Sequence, residues 1–355
     1  MTSTDDELSR GATAETAERS RRRLPPWAVR ALKALVLALA LWLVARLLGG
    51  LGWDDLRQRL SAASPAWLAV AVAALAVRYV AWDQRWRLAI RAAGPVPGRR
   101  VTFAALLAAA TVNTITPTVR VLGGVVRARY VGRAIGQPTG RAYGSVLYDQ
   151  LAHQVVTGGV TLLAAVAAAF AAGRPGLGWS LAGAVAALAA ALGVWLARRG
   201  GGGETLVRRL VGRVAARVER QGRLGTLLSH GRDAVESFTA LVADRRLRLR
   251  AILLGLAFVA ANAGAQWMIF AALGAPVSPW IVLVVVALGT AAGILVGTPG
   301  GLGAAEATMI ASFAALGVDR LDATAASLLY RALHFAVTLG LGVPCLVWLE
   351  ARYGR

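Results

Sequence analysis

Long apolar runs recur along the whole chain, at residues 31–48, 65–82, 145–171, 178–197, 250–273, 280–296 and 322–349. A spanning helix needs about 20 such residues, because each adds about 1.5 Å and the hydrocarbon layer is about 30 Å thick. Hydrocarbon offers no hydrogen bonds, so only helices or a closed barrel can cross it. Barrel strands would read as alternating segments of about ten residues, whereas these runs are long and rich in Ala and Leu. Composition agrees. Of 355 residues, 57% are hydrophobic and 16% charged, against about 25% charged in soluble domains. The expected fold is all-α, a polytopic integral membrane helical bundle with about seven full spans plus two broken or re-entrant segments.

The stretch Gly297-Thr298-Pro299-Gly300-Gly301-Leu302-Gly303-Ala304-Ala305-Glu306 follows the run at 280–296 directly. Four glycines and a proline break the helix there, and the stretch ends on a carboxylate. Non-helical backbone at membrane depth survives only where protein buries it or where it lines a wet cavity. We therefore expect a pocket at this break, with a short helix over 304–316 beyond it. The second interruption lies at 101–117, which is apolar but short and ends in Asn113-Thr114-Ile115-Thr116-Pro117. Polar residues and a proline at the tip of a short apolar run predict a re-entrant segment. Gly123-Gly124 follow it.

The net charge is +21, and Lys33 is the only lysine among 39 basic residues. The arginines fall between the apolar runs, which points to anionic lipid and membrane orientation rather than nucleic acid. With the N-terminus inside and 101–117 re-entrant, the outside loops carry 5 basic residues and the inside segments 30. Both termini are therefore expected in the cytoplasm of a cell-membrane protein. Residues 1–27 read as a disordered basic cytosolic tail and 28–350 as the transmembrane domain. Within it, 198–250 reads as a cytosolic basic amphipathic insert, since Leu206, Leu210 and Val214 recur at helical spacing. Membrane-surface helices and a plain solvated hairpin both fit that insert. Cys345 is the only cysteine, so no disulfide framework forms within one chain.

Few ionisable residues remain at membrane depth: Arg78, Asp149, His153, Glu306, Arg331 and His334. Such groups are functional candidates by default. Arg78 lies near the basic end of its run and is expected to snorkel to the interface. Asp149 and His153 are spaced i, i+4 and can hydrogen-bond, either as an interfacial pair or as part of a site. Arg331 and His334 share a helix face well inside the last run. Glu306 would open a helix, where the dipole favours an anion. A Glu306–Arg331 pair is expected, either structural or lining a substrate path. The Gly-x-Gly-x-x-Glu spacing lacks the preceding strand that a dinucleotide turn needs. There is no phosphate-loop lysine motif, metal-ligand constellation or nucleophile motif. No catalytic residue, metal or cofactor is expected, and the chain does not read as an enzyme. Helix N-termini and glycine-rich breaks bind anions such as phosphate, and Arg331, Arg120 and Arg127 could add charge-assisted bonds to a phosphodiester.

Thr298-Pro299-Gly300-Gly301-Leu302-Gly303 with Glu306, followed by Leu329-Tyr330-Arg331, resembles the membrane domain of lysylphosphatidylglycerol synthases and of stand-alone flippase-like proteins. Asn113, Thr116-Pro117, Gly123-Gly124 and Arg127 resemble that family's first block, and Asp149 falls where the family places an acid before Arg. Val125 and Gln150 depart from the pattern, where an acid and an Arg are usual. The resemblance implies a lipid-translocating domain and, with no aminoacyl-transferase domain before Arg355, no synthase activity. It implies substrate-binding roles for Glu306, Arg331, Gly300, Gly301, Gly303, Pro299, Asn113, Pro117, Arg127 and Asp149. The expected function is movement of an anionic phospholipid or a polyprenyl-phosphate-linked precursor between leaflets. The alternative is a non-transporting membrane partner whose 198–250 segment docks a cytosolic lipid-modifying enzyme or glycosyltransferase.

Overall fold

The computed structural model describes residues 53–116, 121–171, 244–296 and 303–354, with scattered residues of 173–183 and 237–241. The expected tail, the run at 31–48, most of the run at 178–197 and most of the 198–250 insert lie outside the described residues. Those described form helices and no strands: α1 Trp53–Ser61, α2 Pro65–Ala93, α3 Arg99–Ile115, α4 Val121–Ala134, α5 Thr139–Ala171, α6 Arg245–Ala272, α7 Pro279–Val296, α8 Ala304–Ala315 and α9 Arg320–Tyr353. Among them α2, α5, α6 and α9 are long and apolar enough to cross a membrane. The protein is thus a helical, multi-pass membrane protein.

A sequence of long, short, short and long helices occurs twice, as α2–α5 and as α6–α9. The two opening helices pack along their length in antiparallel fashion. The Ser64 N–H donates to the Ala272 carbonyl at 2.8 Å at one end. Arg78 meets Asn262 near the middle, and Ala89 packs with Leu247 and Ala251 at the other end. The hairpin α3–α4 therefore starts from one end of the bundle and α7–α8 from the opposite end. Each hairpin leans on the closing helix of the other set. Thr111 of α3 donates to the Thr338 carbonyl of α9 at 2.9 Å. Thr161 of α5 donates to the Ala287 carbonyl of α7 at 3.2 Å. The two quartets run in opposite directions, which is the layout of an inverted repeat.

Helices α2, α5 and α6 reach well into the loops that the apolar runs predict. α2 continues eleven residues past the expected end at 82, because Asp83, Arg85 and Trp86 turn inward and are buried. The supposed loop arginine Arg85 is 1% exposed. α5 begins at Thr139 rather than 145, with Gly140, Ala142 and Gly144 buried. α6 begins at Arg245 rather than 250, so the last six residues of the expected insert are spanning-helix residues. Asp244 sets that start, its carboxylate accepting from the backbone of Arg246 and Leu247 at 2.8 and 3.1 Å. Such a cap satisfies otherwise orphaned N–H groups of the first turn.

Close helix approach falls where glycine removes the side chain. A Cβ on Gly289 of α7 would meet the Met309 side chain and lie 3.2 Å from the Ala305 carbonyl of α8. A Cβ on Gly342 of α9 would strike Thr111 and lie 2.7 Å from the Leu107 carbonyl of α3. Small residues let membrane helices pack backbone to backbone, where dispersion and hydrogen bonds replace the hydrophobic drive.

Candidate functional site

The two hairpins enter from opposite ends, and residues near both tips line one cavity of about 350 Å³. Asn113 and Thr116 reach it from the first hairpin, and Gly293 and Ala305 from the second. Its volume lies within the usual range of ligand pockets. Three buried charged clusters stand in or beside its wall.

The first joins α8 to α9. Glu306 is the third residue of α8, and its carboxylate reaches back to accept from the Gly303 N–H at 2.7 Å. Gly303 holds φ +84°, a left-handed conformation that glycine adopts without a steric penalty. The other carboxylate oxygen pairs with the Arg331 guanidinium, which also lies 5.4 Å from the Phe335 ring centre. The pair expected from sequence is thus formed. Glu306 is 5% exposed, and Arg331 lines the cavity.

The second cluster centres on Asp149 of α5, 1% exposed. Its carboxylate accepts from Arg85 Nε and Arg127 Nη1 at 2.7 Å each and from Trp82 Nε1 at 3.0 Å. Arg127 also lies over the Trp82 and Trp86 rings, at 5.5 and 4.9 Å. His153 was the sequence candidate to share Asp149's hydrogen bonding. Its ring stands edge-on to Phe258, 5.0 Å between centres, and Arg85 from α2 and Arg127 from α4 take the carboxylate. Trp82 connects this cluster to the cavity, which it lines. The two departures from the family pattern also have places here. Val125 is exposed, and Gln150 packs against Gly124 at the cavity edge.

The third is Arg78, and here the snorkelling expectation fails. Arg78 sits near the middle of the 29-residue α2 and is 6% exposed. Nη1 donates to Asn262 Oδ1 at 2.8 Å and to Tyr330 Oη at 3.4 Å. Nη2 meets His334 Nδ1 at 3.0 Å. A guanidinium only donates, so Nδ1 accepts and the imidazole proton lies on Nε2. Tyr330 donates to Asn262 Oδ1 at 2.5 Å, and the Tyr79 and Phe258 rings lie 4.6 and 5.5 Å from the guanidinium carbon. Tertiary packing holds the residue at mid-helix, where it lines the cavity rather than extending to the end of its own helix.

Asn113 closes the first hairpin, its Oδ1 accepting from the Gly123 N–H at 3.0 Å. A Cβ on Gly123 would lie 2.6 Å from the Ala109 carbonyl, so glycine is needed at that crossing. Pro117, Pro299, Gly300 and Gly301 lie outside the described residues. Sequence reasoning missed Arg85, Trp82, Asn262 and Tyr330 as parts of these clusters. Asn262 did carry a signal, as one of two amides, with Gln266, inside an apolar run.

Comparison with known proteins follows the same lines. The sequence profile described as "Lysylphosphatidylglycerol synthase TM region" matches residues 31–342. A protein of Methanothermobacter thermautotrophicus described as a UPF0104 membrane protein is similar, at 23% identity over 324 residues. That alignment covers 88% of this chain and 94% of the relative.

Proposed function

Because the chain belongs to the lysylphosphatidylglycerol synthase TM region family, we propose that it carries an anionic phospholipid or a lipid-linked precursor between leaflets. The supporting observation is the cavity at which two oppositely entering hairpins meet, beside buried charge. Discontinuous helical segments from inverted halves that meet near mid-membrane are a transporter device, and rocking one half against the other opens the site to each side in turn. A lipid whose tails stay in the bilayer needs a polar path for its head alone, and this cavity is that path.

Glu306 and Arg331 act at this path as a gate. Their pair fastens the start of α8, and with it the second hairpin, to α9. A buried pair of this kind is costly to break unless other groups replace the partners. An incoming anionic head competes for Arg331 and so couples its own binding to movement of the hairpin. We place both termini in the cytoplasm, on the excess of arginine in the segments between spans. We read the chain as a transporter rather than an enzyme.

The test is leaflet exchange. Purified protein is reconstituted in liposomes holding labelled anionic phospholipid, and a membrane-impermeant quencher reports the exposed fraction. Fast exchange in wild type that slows about tenfold or more in Glu306→Gln supports the gate, since losing a buried partner removes several kcal/mol. Equal, fast exchange in both means scrambling unrelated to that carboxylate. Absence of exchange with phospholipid and with polyprenyl-phosphate sugars defeats the transport reading.

A further inference from the structure

Arg78 is a buried cation that no carboxylate neutralises among the described residues. Its hydrogen-bond acceptors, Asn262, Tyr330 and His334, are neutral. Its Nε is buried without a partner. The nearby carboxylates are engaged elsewhere, Asp149 by Arg85 and Arg127 and Glu306 by Arg331. Across the three clusters four arginines face two carboxylates. An isolated charge in a low-dielectric interior is strongly disfavoured, and cation–π contact with Tyr79 and Phe258 offsets only part of that. Intramembrane cations commonly serve as counter-ions to a ligand.

The surroundings fit an anion. Arg78 lines the cavity, and so do Asn262, Tyr330 and His334. Asn262 Oδ1 already accepts from both Arg78 and Tyr330, which leaves its amide NH₂ as a donor beside the guanidinium. The side chains that hold Arg78 come from α6 and α9, so it is preorganised rather than swinging freely. A planar guanidinium with donors beside it matches the oxygens of a phosphoryl group.

We propose that Arg78, held by Asn262, Tyr330 and His334, is the anion-binding centre of the cavity and takes the phosphoryl group of the ligand. The inference deepens the transport reading and rests on it for the path the ligand follows, but the binding site stands or falls separately. The same chemistry serves a lipid headgroup or a free phosphate ester. In this arrangement Glu306–Arg331 is the gate and Arg78 the seat.

The experiment is thermal unfolding of the full chain in uncharged detergent, titrated with three probes: dihexanoyl phosphatidylglycerol, the matched uncharged dihexanoylglycerol, and inorganic phosphate. Wild type is expected to be stabilised by the anionic lipid and not by the uncharged one. Arg78→Gln is expected to weaken the anionic lipid about tenfold or more, the loss of one charge-assisted contact, and Arg78→Lys to weaken it less. Without ligand, Arg78→Gln should unfold no earlier than wild type, because the buried charge is gone and its partners are neutral. A purely structural Arg78 predicts the reverse: a lower midpoint without ligand and an unchanged response to the lipid. That result overturns the inference, as does equal stabilisation of wild type by the uncharged lipid. Stabilisation by inorganic phosphate equal to that by the lipid supports the site and assigns it a soluble ligand. Leaflet exchange separates the two claims. Lipid that binds through Arg78 without crossing removes the transport reading and leaves the site. Anionic lipid that crosses as fast in Arg78→Gln as in wild type removes the site and leaves transport.

Discussion

Asp149 shows what a single buried residue commits this protein to. Two arginines share its carboxylate, and all three groups are 3% exposed or less. Asp149→Asn leaves two buried guanidinium groups facing a neutral amide. Breaking a buried ion pair from one side costs about 3–5 kcal/mol, so the unfolding midpoint in detergent should fall steeply. Arg59 pairs with Asp322 at 2.9 Å, but the Arg59 side chain is 43% exposed. An exposed pair contributes about 0–1 kcal/mol, so Arg59→Gln should barely move that midpoint. The same melting curves measure both, and similar shifts would contradict the ranking. At this scale the sequence was informative about which groups are unusual, not about whom they meet. Glu306 and Arg331 could be paired on sequence because they are opposite charges at membrane depth, one just after the glycine break and one inside the following apolar run. Arg85 looked like a loop residue because it lies in a run of arginines, and only the inward turn of α2 buries it.

At the scale of elements, the helices follow the apolar runs, and their ends follow the packing. Hydropathy treats Asp83, Arg85 and Trp86 as the end of a span. The helix continues, and Arg85 Nε and Trp86 Nε1 find partners inside the bundle in Asp149 and Ser145. The hairpins depend on where glycine stands. Gly342→Ala would drive a methyl group onto α3, and such overpacking costs about 1–3 kcal/mol. Gly340→Ala, two residues away on the same helix, meets nothing within 4 Å. It should be neutral or stabilising by up to about 1 kcal/mol, because alanine is the better helix former. Gly123→Ala should resemble Gly342→Ala, since its methyl group meets the Ala109 carbonyl and the Asn113 side chain. Paired melting curves check all three. Loss of stability in Gly340→Ala equal to that in Gly342→Ala would sink the account of helix approach.

The whole molecule carries a prediction about insertion. An inverted repeat with cytoplasmic termini puts the turn before α2 and the turn before α7 outside, and the turn before α3 inside. In a Cys345→Ser background, an impermeant thiol reagent applied to intact cells should label Ser61→Cys and Ser278→Cys. Arg91→Cys should react only after permeabilisation. All three sites are exposed. Labelling of Arg91→Cys in intact cells would invert the topology and remove the arginine argument for orientation.

The sequence by itself determined the class of fold, the two interruptions and several of the charges at depth. These are local properties: an apolar run of spanning length must be a helix in hydrocarbon, glycine and proline must break it, and charge there must have a reason. The family resemblance was legible for the same cause, since its signature is a contiguous stretch around the break. The repeat of long, short, short and long helices is not legible in the sequence, because two interruptions inside different apolar runs do not announce a common symmetry. Only the tertiary structure decided that the hairpins enter from opposite ends and meet at one cavity, that Asp149 belongs to Arg85 and Arg127, and that Arg78 is enclosed rather than snorkelling. Those facts depend on which face of each helix turns inward. In a membrane that choice is set by helix packing and by the pairing of polar groups across the bundle, since lipid is as apolar as the core.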